Sequence, residues 1–400
     1  MLRMALAISS VRFAVLSHIL PPSATGQSVM LGRLLSGIAP ESYCTIGLQG
    51  FRSPETRVVA TRSLPAVCRL LPVEWRLRGA GRLRIPVWDW RFRLRQRARH
   101  LARLLESEGA DVVVACSGEL LNIPAAVLAA KQVGARLVAY YFDDYPQQWM
   151  TRAERGFALS WERRLIAEGG TIVVPNELLR DEVSERGASR TALVRNPLPD
   201  GFSIAAPASW PAAGQGLRIV FAGAIYHAHA DAFSNLLAAM EHAADLDPKL
   251  RILTAQPEAD LQALGLVGGR VERLGHVPEA QAQSALREAD VLFLPLAFDS
   301  PIPEVIRTSS PGKLAEYLAS GRPVLVHAPA DSFPAWYARR NECAFVADRP
   351  EPESLARVLR GIAADPVRTR EVASRALACA RRDFAPELSR QALLDAMRGN

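Results

Sequence analysis

The sequence predicts an α/β protein made of two Rossmann-like domains, and three observations support this prediction. The chain has 400 residues, enough for two domains with separate hydrophobic cores. In both halves, short apolar runs that end in loops alternate with helical patterns. Residues 197–216 are rich in Pro, Gly, Ala and Ser and predict a linker. We therefore place one domain at residues 1–196 and a second at 217–384, followed by a terminal helix over 385–400.

The composition indicates a folded protein with a basic surface. Hydrophobic residues make up 49% and charged residues 22%, and the net charge of +7 favours an anionic partner such as a nucleotide, a phospholipid or a nucleic acid. The five cysteines lack metal or redox spacing, which predicts buried thiols in a reducing cytoplasm. Arg12 interrupts the first apolar run, so we interpret residues 13–17 as a strand and expect no cleaved signal peptide.

The first strand leads into a loop of the kind that binds ligands in α/β folds. A proline pair and Gly26 follow the strand, and a helix is predicted to begin at Gln27 or Ser28. This order is a Rossmann-like opening, although the G-x-G-x-x-G pattern is absent. His18 stands at the end of the strand, where a functional role and a hydrogen bond to the backbone are both reasonable interpretations.

Residues 73–109 form a stretch in which ten arginines are interleaved with tryptophans. Its second half permits an amphipathic helix. Arginine with tryptophan suits an anionic membrane surface or a lipid-diphosphate acceptor, but it also suits single-stranded nucleic acid or a merely solvated helix face. We favour the first interpretation. The residues assigned to acceptor or membrane contact are Trp75, Trp88, Trp90, Arg91, Arg93 and Arg95.

Two adjacent aspartates, Asp143 and Asp144, follow the strand predicted at 136–142. At the carboxyl end of a strand, a carboxylate suits a catalytic base or a contact to an acceptor. Adjacent residues of an extended segment point to opposite sides, so only one of the two is expected to face a substrate. A helix cap without chemistry is the alternative.

The second domain is organised around a strand–helix–strand unit at residues 290–327. An apolar run at 291–296 predicts a strand, and Ser-Pro-Gly at 310–312 predicts a helix start that leaves N–H groups free. A second apolar run predicts a parallel strand and a right-handed crossover. Lys313 and the free N–H groups suit a phosphate, and Glu316 suits ribose hydroxyls. An ordinary helix cap with two solvated charges explains the same residues.

This segment, SSPGKLAEYLASGRPVL, resembles the donor-binding segment of GT-B glycosyltransferases of the glycosyltransferase 4-like and group 1 families, whose form is P-x-K-L-x-E-Y-L-A-x-G-x-P-V. The resemblance implies two Rossmann-like domains facing a cleft, with the terminal helix returning to the first domain. Two departures stand out. Thr308 replaces the first of two glutamates eight residues apart, with Glu304 the nearest substitute, and Ala224 replaces a usual arginine.

The resemblance also implies the site residues. In the second domain it assigns the diphosphate, ribose and nucleobase contacts to Gly223, His227, His229, Gly275, His276, Val277, Ser309, Ser310, Gly312, Lys313 and Glu316. In the first domain it places Gly26 and Gln27 with the donor, and His18 near the reacting groups. Asp143 matches an Asp-x-x-Pro pattern that faces the acceptor in relatives.

The expected function is transfer of a sugar from a nucleoside diphosphate sugar to a glycan or lipid-linked acceptor, in surface polysaccharide or cell-envelope glycan synthesis. Neither a cofactor nor a metal is expected, because N–H groups and Lys313 would stabilise the leaving diphosphate. The D-x-D pattern at 245–247 is interpreted as a surface turn. An inverting reaction needs a base, for which Asp143 and Asp144 are the candidates, whereas a retaining reaction needs none.

Two other functions are compatible with the sequence. The missing glutamate and arginine fit a catalytically inactive, transferase-like partner, and a nucleotide-sugar epimerase could use the same fold. A cytoplasmic protein with peripheral contact to the inner face of the membrane is expected, and nucleic acid is not expected as a partner.

Overall fold

A computed structural model of the protein describes residues 11–49, 63–76, 86–204, 216–226, 228–275 and 277–399. It divides into two compact units. Unit 1 comprises residues 1–197 and 386–400, and unit 2 comprises residues 198–385. Two of the predicted donor residues, His227 and His276, and most of the predicted linker lie outside the described residues.

Within the described residues, unit 1 contains a parallel sheet of seven strands in the order β3-β2-β1-β4-β5-β6-β7. The strands are β1 (Phe13–Leu16), β2 (Tyr43–Leu48), β3 (Val67–Leu71), β4 (Val112–Cys116), β5 (Arg136–Tyr140), β6 (Thr171–Val174) and β7 (Thr191–Leu193). Strands β1 and β4 are buried along their whole length, as expected for strands covered on both faces. Strand order reverses between β1 and β4, and open α/β sheets bind ligands at such a switch point.

The first helices of unit 1 cover the two faces of this sheet. They are α1 (Gly26–Leu35), α2 (Pro86–Glu108), α3 (Asn122–Val133), α4 (Arg152–Ala167) and α5 (Glu177–Glu185). Two of them begin at clear side-chain caps: Thr25 accepts from the N–H of Ser28 before α1, and Thr151 forms a capping box with Glu154 before α4. Helices α2 and α3 contribute to the core on one face, and α1 contributes to the core on the other.

Unit 2 repeats the same architecture in the part of the chain that the structure describes. Its strands are β8 (Arg218–Ala222), β9 (Lys249–Leu253), β10 (Val271–Arg273), β11 (Val291–Pro295), β12 (Val324–His327) and β13 (Phe345–Ala347). All are parallel, in the order β10-β9-β8-β11-β12-β13. The predicted parallel pair is β11 and β12, and the switch point lies between β8 and β11.

The helices of unit 2 differ from the prediction at one point. They are α6 (Ala230–His242), α7 (Glu258–Ala263), α8 (Glu279–Glu288), α9 (Pro303–Thr308), α10 (Lys313–Ala319), α11 (Phe333–Asn341), α12 (Pro352–Ala364) and α13 (Pro366–Asp383). The segment predicted as a loop before the donor-binding helix contains α9. The helix predicted to begin at a Ser310 cap begins at Lys313, and Gly312 precedes it without a side-chain cap.

The last helix, α14 (Pro386–Arg398), belongs to unit 1. Its Arg390 donates to the carbonyl oxygens of Arg33 and Leu34, at 2.6 and 3.1 Å, and so holds the end of α1. A Cβ at Gly37 would lie 2.6 Å from the Arg390 guanidinium carbon, so a larger residue there would displace this contact. The chain therefore returns to the first unit at its end, as the resemblance implied.

Among the described residues, no helix combines the length and the apolar character that crossing a membrane requires.

Candidate functional site

Lys313 lies at the carboxyl end of β8, at the switch point of the unit 2 sheet. Its Nζ lies 3.9 Å from the centre of the Phe221 ring, a cation–π distance. A Cβ added to Gly223 would lie 3.1 Å from Nζ, and Gly223 has a φ of 127°. Glycine is therefore required at 223 both for the backbone conformation and for the approach of the lysine.

Near neutral pH, Lys313 is present in both its charged and its neutral form. Burial lowers the pKa of its amine to about 7, while the nearby carboxylate of Glu316 opposes this change. A bound anion would favour the charged form and raise the pKa again. Lys313 is thus a cation whose charge depends on what occupies the site.

Helix α10 is fixed to the same strand end by a hydrogen bond. The N–H of Ala222 donates to the hydroxyl oxygen of Tyr317, at 2.8 Å, and Tyr317 is buried. Glu316 precedes Tyr317 and is partly exposed, as are Ser309, Ser310 and Gly312 before the helix. These residues, which the resemblance assigns to the phosphates and the ribose, therefore lie on α10 and in the turn before it.

The position of the missing glutamate has a structural role of its own. Thr308 is buried, and its hydroxyl donates to the carbonyl oxygen of Glu304, at 3.1 Å. Glu304 is exposed in the first turn of α9. The threonine thus stabilises the end of α9, a helix that the sequence pattern did not predict.

The loop that follows β11 is hydrogen-bonded to a side chain in the first turn of α6. Asp231 accepts from the N–H groups of Phe298 and Asp299, both at 2.8 Å. His229 is buried beside them, with its ring edge-on to Tyr226 at 4.5 Å and to Phe221 at 6.0 Å. The structure therefore places His229 in an aromatic cluster under Lys313, and its role in donor binding stays a prediction.

The predicted nucleobase loop follows β10 at the edge of the sheet. Gly275 has a φ of 67°, which favours glycine, and Val277 is partly buried. Strand β9 separates β10 from β8, and strands lie about 4.8 Å apart, so this loop and β8 are about 10 Å apart.

In unit 1 the structure brings His18 and Gln27 together at the switch point between β1 and β4. The Gln27 amide donates to the Ser17 hydroxyl, at 3.2 Å. A Cβ at Gly118 would lie 2.1 Å from Gln27 Oε1 and 2.2 Å from His18 Cε1, so both side chains pack on the Gly118 backbone. Gly26 is the first residue of α1.

His18 is neutral near neutral pH because of its surroundings. Burial lowers the pKa of its imidazole to about 4, and the Arg97 charge acts in the same direction, whereas Glu119 opposes them. Arg97 is itself buried and donates to Glu74 at 2.6 Å, to Asn122 at 2.9 Å and to Glu119. The ring can therefore exchange hydrogen bonds with a hydroxyl group without adding charge.

The two aspartates after β5 have different environments. Asp144 is buried and accepts two hydrogen bonds from Arg186, both at 3.0 Å. Asp143 is partly exposed, and burial together with the Asp144 charge raises the pKa of its carboxyl to about 6. Asp144 was predicted as a candidate base, but both oxygens of its carboxylate accept hydrogen bonds from Arg186. Asp143 is the better candidate, since a base with a pKa near the working pH is most effective.

The arginine–tryptophan stretch divides into paired and exposed residues. Arg93 pairs with Glu74 at 3.2 Å, and Trp90 packs edge-on against Phe157 at 5.4 Å. Both side chains therefore have partners inside unit 1, and their assignment to acceptor or membrane contact stays a prediction. Trp75 and Trp88 are 80% and 60% exposed, and Arg91 and Arg95 are exposed as well.

Several residues of these sites could not have been found from the sequence pattern. Arg186 lies 42 residues from Asp144, and Arg97 lies 22 residues from Glu119. Phe221 is an ordinary apolar strand residue in the sequence, yet it forms the floor under Lys313. Arg186 and Phe221 belong to no local motif, and the arginine–tryptophan stretch that contains Arg97 does not distinguish it from its neighbours.

Comparison with known proteins gives the class and then the family. Residues 49–199 match the model of the glycosyl transferase 4-like domain, and residues 216–365 match that of glycosyl transferases group 1. The chain is a GT-B glycosyltransferase-family protein, and it belongs to the group 1 and 4-like families. No curated protein sequence is significantly similar to it.

Solved structures share this fold over nearly the whole chain. HepE from Anabaena, crystallised with UDP-glucose, is 12% identical with a TM-score of 0.68, and the match covers 98% of this chain and 100% of HepE. Sucrose-phosphate synthase from Thermosynechococcus elongatus is 14% identical with a TM-score of 0.67, covering 98% and 99%. A glycosyltransferase from Rickettsia africae is 11% identical with a TM-score of 0.68, again covering 98% and 99%. The predicted two-domain α/β fold is thus confirmed.

Proposed function

We propose that the protein transfers a sugar from a nucleoside diphosphate sugar to a hydroxyl group of a glycan or lipid-linked acceptor, in the synthesis of surface polysaccharide or envelope glycan. The observation that carries the donor half of this proposal is the position of Lys313 against Phe221 and Gly223 at the switch point of unit 2. The UDP-glucose complex of HepE supports the same donor class.

In this mechanism the residues of unit 2 stabilise the leaving diphosphate. Charge develops on the diphosphate as the bond from the sugar to its oxygen breaks, and the Lys313 ammonium compensates it. Glu316 accepts hydrogen bonds from the ribose hydroxyls. In unit 1, Asp143 takes the proton of the acceptor hydroxyl as that oxygen attacks the sugar carbon, while Gln27 and His18 orient the reacting groups.

We also propose that transfer needs no metal ion. The D-x-D pattern at 245–247 lies in the turn before β9, at the amino end of the strand, and the loops at the opposite end carry Lys313. Asp245 pairs with Arg360, at 2.8 Å, on the surface of unit 2. This pairing supports a structural role for the pattern.

Lys313→Ala should weaken donor binding by about 1.5–3 kcal/mol, the usual contribution of a charge-assisted hydrogen bond. Calorimetric titration with the donor sugar nucleotide measures the change. Lys249→Ala is the matched control, because Lys249 lies on the same unit at the amino end of β9 and is exposed. Equal affinities for the wild type and Lys313→Ala would remove Lys313 from the donor site.

Donor affinity should depend on pH through Lys313. Its pKa is about 7 in the free protein and is raised by a bound diphosphate, so binding takes up a proton above pH 7. The dissociation constant should therefore be smallest below pH 7 and increase by up to about tenfold for each pH unit above it. Lys313→Arg keeps its charge and should lose this dependence, even if it binds more weakly. A wild-type dissociation constant that does not change with pH would contradict the assignment of Lys313 to the diphosphate.

The alternative of an inactive partner protein makes a different prediction about ligands. A panel of UDP-, GDP-, ADP-, TDP- and CMP-sugars should contain at least one that raises the melting temperature, because a ligand that binds the folded state stabilises it. A protein that only retains the fold should respond to none. Lys313 and its glycine neighbour favour a working donor site.

A further inference from the structure

One face of α2 carries four arginines spaced four residues apart. Arg91, Arg95, Arg99 and Arg103 are all exposed, and residues at this spacing are neighbours on a helix surface. Twelve residues of helix separate the first from the last, so the row is about 18 Å long. We call these four side chains the arginine row.

Exposed aromatic side chains lie beside the row. Trp88 is 60% exposed and Phe92 is 40% exposed, and Arg91 lies 5.8 Å from the Trp88 ring centre. Trp75 is 80% exposed and is held beside α2, because Gln96 donates to its carbonyl oxygen and accepts from its N–H, at 3.0 and 3.1 Å. Basic and aromatic groups therefore occupy one continuous part of the surface.

The charges of the row are not compensated by the part of unit 1 that the structure describes. None of its four arginines forms an ion pair with a described residue, whereas Arg93 and Arg97 on another side of α2 pair with Glu74. Like charges four residues apart destabilise a helix slightly. The opposite side of α2, including Leu94, Leu101 and Leu105, is buried in the core and holds the helix in place. Folding alone thus gives no reason for the row.

We propose that the arginine row and the aromatic side chains beside it dock unit 1 on the surface of an anionic lipid bilayer. A row of uncompensated cations on one side of a helix matches the phosphate groups of such a surface, and tryptophan is favoured at the interface beside them. Single-stranded nucleic acid fits less well, because stacking requires aromatic side chains along the whole track, and Trp88, Phe92 and Trp75 do not reach the end of the row at Arg103. Docking itself does not depend on the reaction, and only the conclusion that the acceptor is lipid-linked rests on the proposed function.

The test measures co-sedimentation of the full chain with vesicles of phosphatidylcholine, with and without phosphatidylglycerol, in the absence of any sugar nucleotide. We expect binding to the anionic vesicles at low salt, release by raised salt and no binding to phosphatidylcholine alone. Each arginine near such a surface contributes about fivefold to binding. Replacing Arg91, Arg95, Arg99 and Arg103 together by glutamine should therefore lower vesicle affinity more than tenfold.

A variant with the same charge change elsewhere is the matched control. Arg163, Arg357, Arg370 and Arg381 are exposed and lie outside α2, so replacing them by glutamine should preserve most of the vesicle binding. Arg93 and Arg97 stay unchanged in both variants because they hold Glu74. Circular dichroism and donor titration should be normal for both, which separates a failure of docking from a failure of donor binding.

Three results would overturn the proposal. The first is a wild-type protein that ignores anionic vesicles at low salt. The second is an equal loss of binding in the two quadruple variants, since binding would then follow net charge and not the row. The third is row-dependent binding of a single-stranded oligonucleotide without any binding of vesicles.

Discussion

Replacing Asp143 by asparagine should lower the turnover number by about 10²–10⁴-fold, the usual contribution of a general base. The variant keeps the shape of the side chain and removes its ability to take a proton. Donor affinity should not change, because the residues assigned to the diphosphate and ribose lie in unit 2. Initial rates at saturating donor and acceptor, combined with a donor titration, measure both quantities.

The pH profile gives a second readout of the same residue. The pKa of Asp143 is raised to about 6, so the carboxylate is protonated and inactive below that pH. The rate of the wild type should increase as the pH rises through about 6, and the remaining rate of Asp143→Asn should lack this step. Asp181→Asn, at an exposed position of α5, is the control and should behave as the wild type.

Full activity of Asp143→Asn would contradict the role of a base at this loop. The anomeric configuration of the product would then distinguish two explanations. Retention would indicate a reaction that needs no dedicated base, and inversion would indicate a different base. In the second case His18 is the next residue to test, because its ring is neutral near neutral pH and lies at the switch point of unit 1.

The sequence predicted the parts of this protein that depend on local pattern. Apolar runs located the central strands, because a strand buried on both faces must be apolar along its length. The motif at 309–325 predicts the donor segment, because a phosphate contact needs a lysine and a nearby glycine close together in the chain. Its helix start was predicted two residues too early, because a serine before a proline has the pattern of a cap whether or not its hydroxyl accepts a hydrogen bond.

The sequence does not show where a side chain depends on a partner far away in the chain. Arg93 and Arg95 look alike in the sequence, yet the first pairs with Glu74 and the second is exposed. Asp143 and Asp144 are likewise indistinguishable until Arg186 is placed beside the second. Helical and strand periodicity report which side of an element is buried, but they do not report which charges meet across elements.

Arg186→Met should reduce the free energy of unfolding by about 3–5 kcal/mol, the cost of removing one partner from a buried ion pair. Arg186 follows α5 and donates to two buried carboxylates: to Asp144 through both terminal nitrogens, and to Glu162 at 2.8 and 3.1 Å. Methionine fills part of the space but leaves both carboxylates without their cation. Urea denaturation at neutral pH measures the loss.

Two comparisons test the cause of this loss. Arg180→Met, on the same helix, removes an arginine whose ion pair with Asp181 is open to solvent and should cost less than about 1 kcal/mol. In Arg186→Met the buried carboxyls should have folded-state pKa values above their unfolded values, so the folded state binds more protons and gains stability as the pH falls. The difference between wild type and Arg186→Met should therefore be smaller at pH 5 than at pH 8. Two results would contradict this explanation: an equal loss of unfolding free energy in Arg186→Met and Arg180→Met, or a difference between wild type and Arg186→Met that does not vary with pH. Either result would mean that Arg186 does not stabilise these carboxylates. The distinction between Asp143 and Asp144 would then have no basis.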